Sequence, residues 1–163
     1  MGKDVDEIRR GRSGFTLTEL LVVVAVLGIL ALAAIPGFSV WLPGYRLRTS
    51  AQDLYSHMQA TKLRAVRENA STGVSLYTTP DRYLHTGSGT ARTVNLGSYG
   101  YGINFDGPGG ETFSTNYLEF DVRGFSNGGY AYLSNERETA HYRVGALSTG
   151  VVLLQKWNGG SWE

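Results

Sequence analysis

The chain contains no cysteine. Disulfide staples and thiolate metal ligands are therefore excluded, and any folded domain must hold together by its core alone. Histidine is scarce. His57, His85 and His141 stand far apart and lack ligand spacing, so structural roles are expected of them and no metal site is read. An excess of one charge is also lacking. Fifteen Lys and Arg face fourteen Asp and Glu, a net charge of +1 that calls for neither nucleic acid nor an acidic partner. No nucleophile–base pairing is readable. Gly87-Ser-Gly89 and Gly100-Tyr-Gly102 do not open a helix, so they do not form a phosphate cradle. No cofactor and no enzymatic activity are expected.

What is present begins with residues 1–14, which carry Lys3, Arg9, Arg10 and Arg12 against Asp4, Asp6 and Glu7. Residues 15–42 follow, and Glu19 is their sole charged residue. Leu20 to Ile35 is apolar apart from one glycine. A helix over 15–42 extends ~42 Å at 1.5 Å per residue, enough for a hydrocarbon core of roughly 30 Å. The basic cluster before it predicts a cytoplasmic N-terminus. A secretory signal peptide fits poorly, because its apolar region runs about 7–15 residues and this one is prolonged through Pro36 and Trp41. A plain single-span anchor explains everything except Glu19. A carboxylate inside a membrane helix costs on the order of 2.5–3.5 kcal/mol, so it is a functional hypothesis by default. A cut between Gly14 and Phe15 would supply its partner: a new α-ammonium on Phe15, one turn before Glu19 or on a neighbouring subunit.

Gly14-Phe15-Thr-Leu-Thr-Glu19, the aliphatic run after it and Pro36 together resemble the leader and N-terminal helix of type IV pilins and type II secretion pseudopilins. The resemblance implies cleavage after Gly14 by a membrane prepilin peptidase, N-methylation of Phe15, and pairing of Glu19 with an adjacent subunit's N-terminus. Removing residues 1–14 leaves eleven positive and eleven negative residues. Pro36 and Gly37 are the expected helix break, with Pro43-Gly44 as a second breaker. In the family's terms, the first is where the helix stretches or unwinds on assembly.

Residues 45–70 predict an amphipathic helix with Leu47, Ala51, Leu54, Tyr55, Met58 and Val66 on one stripe, widened by Ala65 and Ala70. Arg46, Arg48, Lys62, Arg64 and Arg67 make its other face basic, with Asp53 and Glu68. Asn69 to Gly73 ends it, with Gly73 supplying the turn. Beyond that, period-two patterning predicts strands over 74–78, 82–85, 92–97, 117–122, 129–134, 141–147 and 150–157. Residues 98–116 read as a long variable loop. Within it, the 106–111 segment is a weak calcium candidate that lacks alternating oxygen ligands.

Phe120-Asp-Val-Arg-Gly124, Gly129-Tyr-Ala-Tyr-Leu133, Tyr142-Arg-Val144 and Ser148-Thr-Gly150 resemble the C-terminal domain of the GspH/FimT family of minor pseudopilins and minor pilins. That resemblance implies an α+β pilin fold, a long helix packed on two antiparallel β-sheets. Some members bind DNA through basic residues near the C-terminus. Here Arg137, Arg143 and Lys156 are the candidate contacts, and they would have to cluster in space. The final 20 residues hold one positive residue, Lys156, so DNA is not the expected partner. Trp157 and Trp162 are read as core or tip contacts.

The expected organisation is a leader over 1–14, a transmembrane and filament-core helix over 15–42, an amphipathic helix over 43–72 and a β-rich domain over 73–163. The partners implied are other pilin or pseudopilin subunits, the prepilin peptidase, an inner-membrane assembly platform, and the lipid bilayer before assembly. The location implied is the bacterial inner membrane with the C-terminal domain periplasmic, then a periplasmic pseudopilus or a surface pilus. Three assignments stay open. They are a minor pseudopilin of type II secretion, a minor pilin priming a surface pilus for adhesion, motility or DNA uptake, and, ranked third, a major pilin.

Overall fold

The computed structural model describes residues 15–86, 90–100, 102–138 and 140–163, and the side chains of 33–40 lie outside that description. The chain divides into two compact units, Met1–Ser39 and Val40–Glu163. Helix α1, Leu17–Glu68, contributes to both. It is assigned without interruption across Pro36-Gly37 and Pro43-Gly44. The expected break is therefore absent from the secondary structure of the single chain. A proline deletes one backbone bond and crowds the preceding turn, which strains a helix without obliging it to stop.

In the first unit, every described side chain from Phe15 to Leu32 is exposed. From Leu20 to Leu32 the helix is apolar all round, so no face is distinguished from another there. Among the described residues no helix is long and apolar enough to cross a membrane. The described apolar side chains stop at Leu32, whereas the apolar sequence continues to Ile35.

In the second unit α1 turns amphipathic. Leu47, Ala51, Leu54, Met58 and Ala65 are fully buried, at helical spacing. Tyr55 packs against them half-buried. Val66 does not join the stripe as expected, being 48% exposed, and Ala70 is exposed too. Thr61 takes the intervening place. Its hydroxyl donates to the His57 carbonyl at 2.8 Å, so a polar residue can be buried there without an unpaired group. Ala65 lies five full turns beyond Leu47, and Val66 falls about 100° further round.

The helix ends differently from expectation. Asn69 adopts φ 50°, and the Ala70 N–H donates to the Ala65 carbonyl at 3.2 Å. That is the left-handed closure in which Asn substitutes for glycine. Gly73 belongs instead to the first strand, where a Cβ would lie 2.6 Å from the Tyr117 ring.

The strands form two four-stranded antiparallel sheets. We number them β1 Thr72–Thr78, β2 Asp81–Thr86, β3 Ala91–Asn95, β4 Ile103–Asn104, β5 Tyr117–Phe120, β6 Gly129–Asn135, β7 His141–Ala146 and β8 Val152–Lys156. Sheet A runs β3-β2-β1-β5 and sheet B runs β4-β6-β7-β8. The α+β arrangement of one helix against two antiparallel sheets is as expected. One core joins the helix stripe to Val74, Leu76, Tyr83, Leu118 and Phe120 of sheet A and to Ala131, Leu133, Val144 and Val152 of sheet B. Polar ties reinforce the joint. Thr72 Oγ1 donates to the Thr61 carbonyl at 3.0 Å, and Lys62 Nζ donates to the Gly150 carbonyl at 2.9 Å.

The segment 98–116 is not the open loop that its glycines suggest. It contributes β4, buries Ile103 and Phe105, and sets Phe113 edge-on to Phe105 at 5.9 Å. Residues 112–114 run along β6, with the Tyr132 N–H donating to the Thr112 carbonyl at 2.9 Å.

Two glycines give opposite predictions. Gly150 has φ +79°, and its Cβ would meet the Gly124 carbonyl oxygen. Gly150→Ala should destabilise the second unit by about 2 kcal/mol or more. Gly44 lies in the helix with nothing within 4 Å of an added Cβ. Gly44→Ala should stabilise by roughly 0.5–1 kcal/mol. Urea unfolding of each variant beside the parent chain, with the same m-value, checks both signs.

Candidate functional site

The first turn of α1 carries the sequence's one unexplained charge. Glu19 Oε2 accepts from the Thr16 N–H at 3.2 Å and from Thr16 Oγ1 at 3.0 Å. The Glu19 N–H donates back to Thr16 Oγ1 at 3.2 Å. Thr16 is thus the N-cap and Glu19 the third helical residue of a reciprocal capping box. The Leu20 N–H donates to the Thr16 carbonyl at 3.1 Å, which begins the helical ladder. The carboxylate also lies at the positive end of the helix dipole. Thr16-Leu-Thr-Glu19 is the ordinary sequence signal for such a box, and here it overlaps the residues that resemble a cleavage motif.

Beyond this carboxylate the described helix surface from Leu20 to Leu32 is apolar. Phe15 and Leu17 are each 81% exposed, and the side chains on to Leu32 stay uncovered. The arrangement offers two chemical features: an anion fixed near the helix start by one hydroxyl and one N–H group, both of Thr16, and an apolar rod whose described side chains are exposed. The fixed anion suits a cation arriving at the start of the helix, and the rod suits lipid or other helices. Gly14 and the rest of the leader expected over 1–14 lie outside the described residues, as do the side chains of Pro36 and Gly37.

The three basic candidates near the C-terminus are not brought together. Arg143 pairs in register with Gln155, and Lys156 with Tyr142, so Arg143 and Lys156 point to opposite faces of sheet B. Arg143 is already engaged. Its guanidinium lies 4.5 Å from the Tyr130 ring centre and 4.9 Å from that of Trp162, and its Nε donates to Gln155 Oε1 at 2.9 Å. Trp162 also touches Tyr132 and Trp157, so this stack fastens residues 157–163 onto sheet B. Arg137 is exposed in the turn between β6 and β7, flanked by Glu136 and Glu138. In the 106–111 segment, Glu111 Oε2 accepts from the Gly109 N–H at 3.0 Å, folding the carboxylate onto its own loop. Among the described residues no group of three or more His, Cys, Asp or Glu converges as a metal site would require.

One cluster was invisible in the sequence. His57 of α1 and His85 of β2 stack at 3.9 Å, and His57 Nδ1 lies 2.7 Å from the Tyr83 hydroxyl. Twenty-eight residues separate the two histidines in the sequence, and no local spacing announces a pairing made by tertiary packing.

Comparison with known proteins meets the site at the same residues. The family model described as the prokaryotic N-terminal methylation motif matches residues 9–35. The chain is 32% identical over 154 residues to the type IV major fimbrial protein FimA of Dichelobacter nodosus, covering 91% of this chain and 83% of that protein. No solved structure matches the chain. A match of that extent, with the methylation motif lying over the capped, apolar start of α1, shows that this chain belongs to the type IV pilin family as a pilin-like precursor.

Proposed function

We propose that this chain is a minor subunit of a type IV pilus-like filament, made as a membrane-anchored precursor. The observation that carries the filament role is the first turn of α1, where a capped carboxylate begins an apolar rod whose described side chains, through Leu32, are exposed. Cleavage between Gly14 and Phe15 frees an α-ammonium, and N-methylation leaves it cationic. Glu19 pairs with such an ammonium on an adjacent subunit. Before assembly the rod crosses the inner membrane once, with its leader cytoplasmic and its second unit outside. Pro36 and Gly37 are where the helix loosens as it packs among other helices. The peptidase, the assembly platform and neighbouring subunits are its partners.

The two-sheet build of the second unit supports a minor rather than a bulk subunit, since it agrees with the GspH/FimT resemblance. A minor pseudopilin of type II secretion and a minor pilin share that build. The fimbrial relative favours the pilus over the secretion machine. The same relative favours a second reading: its printed name is that of a major fimbrial protein, which supports this chain as a bulk pilin.

Mass spectrometry of the membrane-extracted chain should find a mature N-terminus at methylated Phe15. A chain still beginning before Phe15, in cells with active peptidase, contradicts the precursor. Glu19→Gln isolates the charge, because Gln also serves at the third position of a capping box. That variant should insert normally yet enter filaments at least about tenfold less, a loss of about 1.4 kcal/mol in assembly. Incorporation at the parent level rules out charge pairing. Quantitative proteomics of sheared filaments separates the two readings. A minor subunit stands at least roughly tenfold below the dominant pilin, and equality or dominance assigns the bulk role.

A further inference from the structure

The packing of α1 on sheet A brings together a partly buried titratable cluster that the filament role does not use. The His57 and His85 rings lie 14° from parallel with centroids 3.9 Å apart. Tyr83 is fully buried and His85 is 5% exposed. His85 Nδ1 is buried with no hydrogen-bond partner. Asp53 of α1 acts on His57 and Arg92 of β3 on both rings, the Tyr83 hydroxyl of β2 meets His57 Nδ1, and Tyr99 of the 3₁₀ turn after β3 lies in turn against Tyr83. Arg92 stands directly opposite His85 in the β2–β3 register. Asp53 is the sole carboxylate of that set, against one guanidinium and two imidazoles.

Neutral imidazoles can stack in such a place. Two imidazoliums cannot do so cheaply, because like charges about 4 Å apart repel and the His85 ring is buried while His57 is only half-covered. Arg92 adds a third positive charge. A proton on His85 Nδ1 would also be a buried donor with nothing to receive it.

We propose that the His57–His85 stack is an acid-sensitive latch: neutral, it lets sheet A close on α1, and protonated, it opens β1–β3 away from the helix while sheet B stays folded. The direction follows from proton linkage. Burial lowers the pKa of His57. Burial, then the charges of His57 and Arg92, lowers that of His85 from 6.5 to about 4. Between those two values the open state binds more protons than the closed one, so closure strengthens with rising pH and is lost as pH falls through the window. From pH 7.5 to 5.0, His85 alone should raise the opening constant about 30-fold.

Amide hydrogen exchange of the detergent-solubilised full-length chain, corrected for intrinsic rates, reads the latch by segment. Between pH 7.5 and 5.0, β1–β3 should lose at least about tenfold more protection than β6–β8. The double variant His57→Gln, His85→Gln should abolish that difference. His141→Gln should keep it, because His141 also has a buried unpartnered Nδ1 but sits in sheet B. Equal protection of sheet A at both pH values in the parent chain overturns the latch, and so does a double variant that retains the acid loss. If the double variant does not fold, the ring resonances of the parent chain decide. Both imidazoles must titrate well below 6.5 together with the opening of sheet A, and titration near 6.5 overturns the proposal.

Discussion

Leu47, Ala51, Leu54, Met58, Thr61 and Ala65 lie along one side of five turns of α1, and the rest of the second unit is arranged to cover them. Without cysteine, this burial is what holds the unit together. Removing such a stripe from water is worth roughly 25 cal/mol per Å² of apolar area, against which the ordering of each strand must be set. The polar exceptions are accounted for. Ser50 and Thr61 return their hydroxyls to the helix's own carbonyls, and the Thr61 carbonyl in turn accepts from Thr72 at the start of β1. Lys62 keeps its stem beside Gly124 and spends its ammonium on Gly150, so a basic residue joins the helix to the β7–β8 turn.

The first unit obeys the opposite rule. Its helix has no buried stripe, because every described side chain from Phe15 to Leu32 is exposed. The one charge on that stretch of helix, Glu19, is not stray. Thr16 and Glu19 satisfy the first backbone donors of the helix and hold the carboxylate at the positive end of the dipole. The same side chain therefore has two roles in sequence: a cap in the single chain, and, in the proposed filament, an acceptor for another subunit's terminal ammonium.

Much of this was legible in the sequence, and the failures have physical causes. Strand positions were readable because period-two alternation survives wherever one face of a sheet is buried, as in Leu118 and Phe120 or Ala131 and Leu133. The buried pair Ile103 and Phe105 was missed because glycines on both sides mask a two-residue strand, and only its pairing with Ser134 and Asn135 makes it one. Val66 has the hydrophobicity for the stripe but not the angle, and Thr61 is buried in its place because a back-bonded threonine leaves no hydroxyl unpaired. In the first turn the charge stands out in the sequence, whereas the cap needs only an ordinary Thr-x-x-Glu spacing. The His57–His85 contact carries no local signal at all, and the Arg143 stack on Tyr130 and Trp162 likewise depends on register across sheet B.

The central claim is that the apolar rod at the start of α1 becomes buried among copies of itself or of related subunits. Because the chain has no cysteine of its own, single-cysteine variants placed one at a time through residues 20–27 report on that burial without background. Oxidation of sheared filaments should then yield subunit–subunit disulfides at a subset of positions repeating at helical spacing. Filaments that contain the subunit yet give no cross-link at any of these positions would contradict the account.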